Sequence, residues 1–180
     1  LIAGIIFVIS SCAFNGFGGK LGTIAFAGCI TTSVILGQPL LSAPIPEMDV
    51  IWLIFLISIL GSVLTYVLSI RFGLGPVIAS SLIGLIAGLI LPAIYPAAGG
   101  ILAIVAICAS FAGMSGKERM GNEIMALLAG IFVAAIYIIS SPYLGGAGGK
   151  LGTIAFASTL AVSGIAGYLN IIRNWRRKHS

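Results

Sequence analysis

The sequence predicts an all-α integral membrane protein with about seven transmembrane helices and an inverted internal repeat relating helices 1–2 to helices 6–7. Three observations carry this expectation. The chain is 59% hydrophobic and only 7% charged over 180 residues, whereas soluble domains carry about 25% charged residues. So few charges cannot cover a surface facing water. The apolar residues fall into runs separated by Gly, Pro and charged clusters. Finally, Gly18-Gly19-Lys20-Leu21-Gly22-Thr23-Ile24-Ala25-Phe26-Ala27 returns letter for letter as Gly148-Gly149-Lys150-Leu151-Gly152-Thr153-Ile154-Ala155-Phe156-Ala157. Internal repeats of this kind set a fold. Residues 1–180 read as one transmembrane domain.

A crossing helix needs about 20 apolar residues at ~1.5 Å each. The first run, residues 1–14, stops at Asn15-Gly16. It is short, and its repeat mate begins near Glu123, which implies residues ahead of Leu1. The second run extends from Leu21 to about Leu41. A loop with Pro44, Pro46, Glu47 and Asp49 follows, because proline cannot continue a helix. The third run spans Val50 to Ile70 and ends at Arg71. Gly73, Gly75 and Pro76 make a turn, and the fourth run reaches about Pro92. Pro96, Gly99 and Gly100 separate it from the fifth, Ile101 to Met114. That run is rich in Ala, Gly and Ser, which suits close packing against other helices. Ser115 to Glu123 is polar. The sixth run is Ile124 to Ser141, and Pro142 to Gly149 is a second glycine-rich turn. The seventh run is Leu151 to about Ile172. Residues 173–180 form a basic tail expected at cytoplasmic headgroups.

Charge supports seven crossings. Alternation places Lys20, Arg71, Lys117, Arg119, Arg173, Arg176, Arg177 and Lys178 on one side and Lys150 alone on the other. Basic loops mark the cytoplasmic face, so the C-terminus is expected in the cytoplasm and the Glu47–Asp49 loop outside. The small size and the basic tail point to a prokaryotic plasma membrane. The net charge of +5 is accounted for by these loops and calls for no nucleic-acid partner.

The repeat is uneven. Repeat A covers residues 7–37 and repeat B 137–167. Within these bounds, outside the ten identical positions, only Ile9, Ser10, Ser11, Gly16, Ser33, Ile35 and Gly37 find the same letter 130 residues on. Identity confined to one segment implies that both copies do the same work. An odd number of crossings separates them, so they enter from opposite faces. Such repeats characterise transporter folds, with sites at the repeat interface. The repeat also implies a five-helix unit of which the second is only begun. A partner membrane subunit, or a homo-oligomer, would complete it.

The candidate substrate-binding residues are therefore Gly18, Gly19, Lys20, Gly22 and Thr23, with Gly148, Gly149, Lys150, Gly152 and Thr153. Glycines let a ligand approach the backbone. A helix start carries unpaired N–H groups and partial positive charge, and lysine adds a full charge. This is the chemistry of an anion site. The spacing is not that of a nucleotide-binding P-loop. The competing reading is a lysine that reaches lipid headgroups beside glycines that pack helices. No mid-span His, Asp or Glu and no metal-ligand cluster is visible, so no enzyme, metal or cofactor is expected. Cys12, Cys29 and Cys108 read as small core residues, Asn15 as a cap or turn residue, and Arg71 as an orientation anchor. Glu123 suits a helix start. The functions that fit are a transporter or channel for a small solute, with anions the candidate class, or a non-catalytic membrane subunit of a larger transport or energy-coupling complex.

Overall fold

The computed structural model describes residues 1–10, 12–37, 40–42 and 45–179, without the side chains of 178 and 179. Ser11 of the repeated serine pair, Pro44 of the acidic loop, and the Lys178 and His179 side chains lie outside the described residues. The helices are α1 (Ile2–Ser10), α2 (Lys20–Leu36), α3 (Met48–Ile70), α4 (Pro76–Ile94), α5 (Gly99–Gly113), α6 (Lys117–Met120), α7 (Glu123–Ser140) and α8 (Lys150–His179). Among the described residues there is no strand, only an isolated bridge between Leu41 and Gly145. Four helices, α3, α4, α7 and α8, are long and apolar enough to cross a membrane. α2 and α5 are apolar but shorter, and α1 has nine residues.

Local chemistry sets the ends. α1 stops at Ser10, whose hydroxyl donates to the Ile6 carbonyl at 2.7 Å. Phe14 and Gly16 then take positive φ and turn the chain. α2 ends at Leu36, short of the expected Leu41, because Gly37 adopts the left-handed conformation and donates its N–H to the Ser33 and Val34 carbonyls. Pro76 begins α4, where its missing N–H costs no helical bond. The helix continues two residues past Pro92, its expected end. Asn122 caps α7 by accepting the Met125 N–H at 3.0 Å. α6 is a single turn inside the polar loop. α8 runs on through the basic tail, past the expected Ile172. Arg and Lys are good helix formers, no Gly or Pro interrupts them, and Arg173 donates to the Asn170 side chain at 3.1 Å.

α3, α5 and α7 pack mutually at the centre. α4 lies on α3 and α5, and α8 on α5 and α7; α2 lies on α8, and α1 on α2. The central contacts are made by small residues. A methyl on Gly61 would reach the Ala106 carbonyl at 2.9 Å, and one on Gly130 would reach Ile59 Cα at 2.8 Å. Ser58 donates to the Gly130 carbonyl at 2.7 Å and Ser62 to the Ala126 carbonyl at 2.8 Å, stitching α3 to α7. The Ser80 and Ser110 hydroxyls meet at 2.8 Å between α4 and α5. As its composition predicts, α5 is the most enclosed helix, with Leu102, Val105, Cys108, Ala109 and Ala112 fully buried. Large apolar side chains such as Trp52, Leu85, Leu89 and Ile139 cover the outside. Apolar cover of this extent suits lipid rather than water.

Candidate functional site

The two identical segments meet. A methyl placed on Gly22 would come within 2.6 Å of the Gly152 Cα, and one on Gly152 within 2.6 Å of the Gly22 Cα. Gly19 abuts the Gly152 carbonyl and the Phe156 N–H; Gly149 abuts the Gly22 carbonyl and the Phe26 N–H. The pattern is reciprocal: each contact from the first copy to the second has a mate from the second to the first. It is the pattern of an isologous two-fold interface, drawn within one chain. As the residue number rises along α2, its partner's number falls along α8. The helices therefore overlap over their first turns in antiparallel sense and leave in opposite directions.

Glycine is required at Gly19 and Gly149 for two reasons. Their φ angles, 80° and 86°, lie in the region that only glycine enters freely, and their Cα atoms touch backbone on the opposing helix. The next polar residue is handled identically in both copies. The Thr23 hydroxyl donates to the Gly19 carbonyl at 3.3 Å and the Thr153 hydroxyl to the Gly149 carbonyl at 3.2 Å. These hydroxyls thus stiffen the helix start. The first N–H groups of each helix have no carbonyl one turn earlier within it, so two electropositive helix starts converge on one place.

The Lys150 side chain points elsewhere. The Lys150 ammonium donates to the carbonyls of Ser140 at 2.7 Å, Ser141 at 3.5 Å and Tyr143 at 2.5 Å. It closes the C-terminal end of α7, where a cation is favoured. Lys150 also lines a cavity of about 480 Å³ with Tyr137, Ser141, Gly145, Gly146 and Leu151. Ser141 lines the same cavity, and its hydroxyl is buried without a hydrogen-bond partner among the described residues. Lys20 is engaged as well and lines a smaller cavity of about 190 Å³ with Ser10, Thr23 and Phe156. The structure thus brings the glycines of the two copies together and gives each lysine its own cavity.

Gly18 and Gly148 differ. Gly18 is pressed against the Phe111 carbonyl at the end of α5, and its N–H donates to the Ser115 hydroxyl at 2.9 Å. A methyl on Gly148 would meet nothing within 4 Å among the described residues.

Residues outside the ten identical positions hold both copies in place. Phe14 and Phe17 pack edge-on against Phe156, with centroids 5.5 and 6.1 Å away. Arg119 lies 4.7 Å over the Phe17 ring and donates to the Asn15 carbonyl at 3.0 Å. The Cys108 thiol donates to the Leu151 carbonyl at 3.2 Å. No pattern in the sequence marked Arg119, Ser115 or Cys108 for these contacts. Of the other cysteines, Cys12 is exposed and Cys29 half-buried, so the expectation of three core cysteines holds for Cys108 alone. Short apolar runs place a residue in a helix without saying which way it faces. Arg71 and Glu123 pair at 2.6 Å. The carboxylate's hydrogen bond and charge hold the guanidinium proton more tightly than usual. No protein-family model, curated protein or solved structure matches the chain.

Proposed function

We propose that the chain is a membrane transporter or channel for a small solute, with anions the favoured class, and that the crossing of α2 and α8 organises its pathway. The reciprocal contact at Gly22 and Gly152 carries this reading. An antiparallel crossing of two identical helix starts is what an inverted repeat requires, and transporters bind their solutes at such junctions.

Membrane depth agrees. Ser163 of α8 donates to the Arg119 carbonyl in the basic loop. From Gly152 to Ser163 the helix rises about 16 Å at 1.5 Å per residue. From Gly22 to Gly37 the rise is about 22 Å in the opposite direction. If the basic loop marks the cytoplasmic boundary, the crossing lies near the middle of a core about 30 Å thick. A cytoplasmic C-terminus and a plasma-membrane location complete the proposal. The Lys150 cavity, with its unpartnered Ser141 hydroxyl, is the better-equipped place for an anion. Because Lys150 already serves three carbonyls, a bound anion would share the ammonium with them.

The test is flux into proteoliposomes, using chloride, nitrate, formate and phosphate as solutes. The parent, Ser141→Ala, Lys20→Ala and the Lys20→Ala, Lys150→Ala pair are compared. At least one anion should enter faster than into empty vesicles, and the lysine pair and Ser141→Ala should slow it. Equal entry with and without protein sinks the reading, as does flux indifferent to all three variants.

The unequal surroundings of Gly18 and Gly148 favour a second reading, a non-catalytic membrane subunit of a larger transport complex. Its signature is a stable companion subunit and no flux by the chain alone.

A further inference from the structure

The ten repeated residues are the same, yet they are not equally covered. Leu151 is half-buried against the core and its carbonyl receives the Cys108 thiol of α5. Leu21, its mate, is 66% exposed. Ala155 is fully buried and Ala25 is exposed. Two turns further, Val162 is 1% exposed, while the corresponding Thr32 is open. α5 also covers Gly18, whereas Gly148 is exposed. One helix, α5, therefore accounts for the burial of both Leu151 and Gly18. Rotated about the two-fold axis between Gly22 and Gly152, that helix would cover Leu21 and Gly148, the two positions left bare. Along the same face, α1 and α2 frame a groove of about 530 Å³ lined by Ala3, Ala25, Gly28, Cys29, Thr32 and Leu36.

We infer that the α1–α2 face is the seat of a transmembrane helix from a partner membrane subunit. The occupant's chemistry is set by what the identical residues of α8 accept: an apolar helix with a stripe of Ala, Gly, Ser or Cys, running opposite to α5. Small residues permit the close backbone approach on which helix association in lipid depends. A second copy of this chain cannot supply the same surface, because its α5 is already enclosed by its own α3, α4, α7 and α8. This inference rests on the internal repeat and is independent of transport.

The repeat also supplies the reagent for a test. A peptide of residues 99–113, flanked by lysines for solubility, carries the surface that packs on Leu151. The full chain is placed in nanodiscs with a photoreactive benzoylphenylalanine in place of Leu21 or, as a lipid-facing control, Leu85. The peptide should give a saturable adduct at position 21 and only unsaturable background at 85. A peptide with Ala109→Leu and Ala112→Leu should lose the adduct at 21. Equal labelling at both positions would overturn the inference, as would chain-to-chain adducts at position 21 that the peptide does not displace. Intact melting transitions in both labelled chains confirm that each is folded.

Discussion

Gly22 and Gly152 touch backbone to backbone, so a methyl on either would sit 2.6 Å from the other's Cα. Neither side can yield by rotating a side chain, since the opposing atom is main chain. Gly22→Ala and Gly152→Ala should each destabilise the protein by about 1–3 kcal/mol, the usual cost of overpacking. Once one methyl has forced the helices apart, the second costs less. The double variant should therefore fall short of the sum, with a coupling energy of about 0.5 kcal/mol or more. Melting in detergent of the parent, both singles and the double measures this. Strict additivity would mean that the two glycines do not share one gap.

Lys150 should prove a structural cation whatever else it does. Its ammonium serves three carbonyls beyond the end of α7. Lys150→Met keeps the length and removes the donors. A cost of about 1.5–3 kcal/mol follows from losing charged hydrogen bonds in a partly enclosed place, with Lys150→Arg retaining part of it. A thermal midpoint in Lys150→Met equal to that of the parent would show the bonds to be dispensable.

Two kinds of contact join α3 to α7, and they should differ in weight. Ser62→Ala removes a hydroxyl-to-carbonyl bond, worth about 0.6 kcal/mol between membrane helices. Gly130→Ala inserts a methyl 2.8 Å from Ile59 Cα and 2.9 Å from the Ser58 carbonyl, and should cost about 1–3 kcal/mol. Ranking the two by chemical denaturation tests whether close approach outweighs hydrogen bonding here. The reverse order would contradict it.

The number of crossings has a direct readout. Glu47 precedes α3 and Glu118 lies in α6, with α3, α4 and α5 between them. Three crossings put them on opposite sides; if the shorter α5 does not cross, they share a side. Single cysteines at Glu47→Cys and Glu118→Cys, with Cys12→Ser and Cys29→Ser as background, should react with an impermeant maleimide from opposite faces of intact cells and inverted vesicles. Labelling of both from the same face would remove α5 from the set of spans.

The sequence made most helices legible because much of their punctuation is local, as at Pro76, which opens α4; Gly37, which ends α2, was not legible because an apolar stretch continues beyond it to Leu41. The two repeated segments were legible as a pair for a different reason, since identity can be read without a structure. Their meeting was not legible. Gly22 and Gly152 are 130 positions apart, and no periodicity encodes which surfaces of two apolar helices will touch. The lysines show the same limit. A charge at a helix start suggested a ligand, while the nearest acceptors for Lys150 were carbonyls of the preceding helix, whose position depends on the turn between. α8 outran its expected end because hydropathy marks where a helix leaves lipid, and backbone propensity decides where it stops.

A homodimer writes its two-fold contact once, so every change in it falls on both sides together. Here the contact is written twice in one chain, at residues 18–27 and 148–157, and the halves can be edited separately. Thr23→Val alone removes the hydroxyl bond to Gly19 and leaves its twin on Gly149 untouched. If the protein works by exchanging the roles of two matched halves, such one-sided edits unbalance them, and paired edits restore the balance at a lower common stability. Symmetry thus becomes an adjustable quantity in this molecule, set by the difference between two side chains.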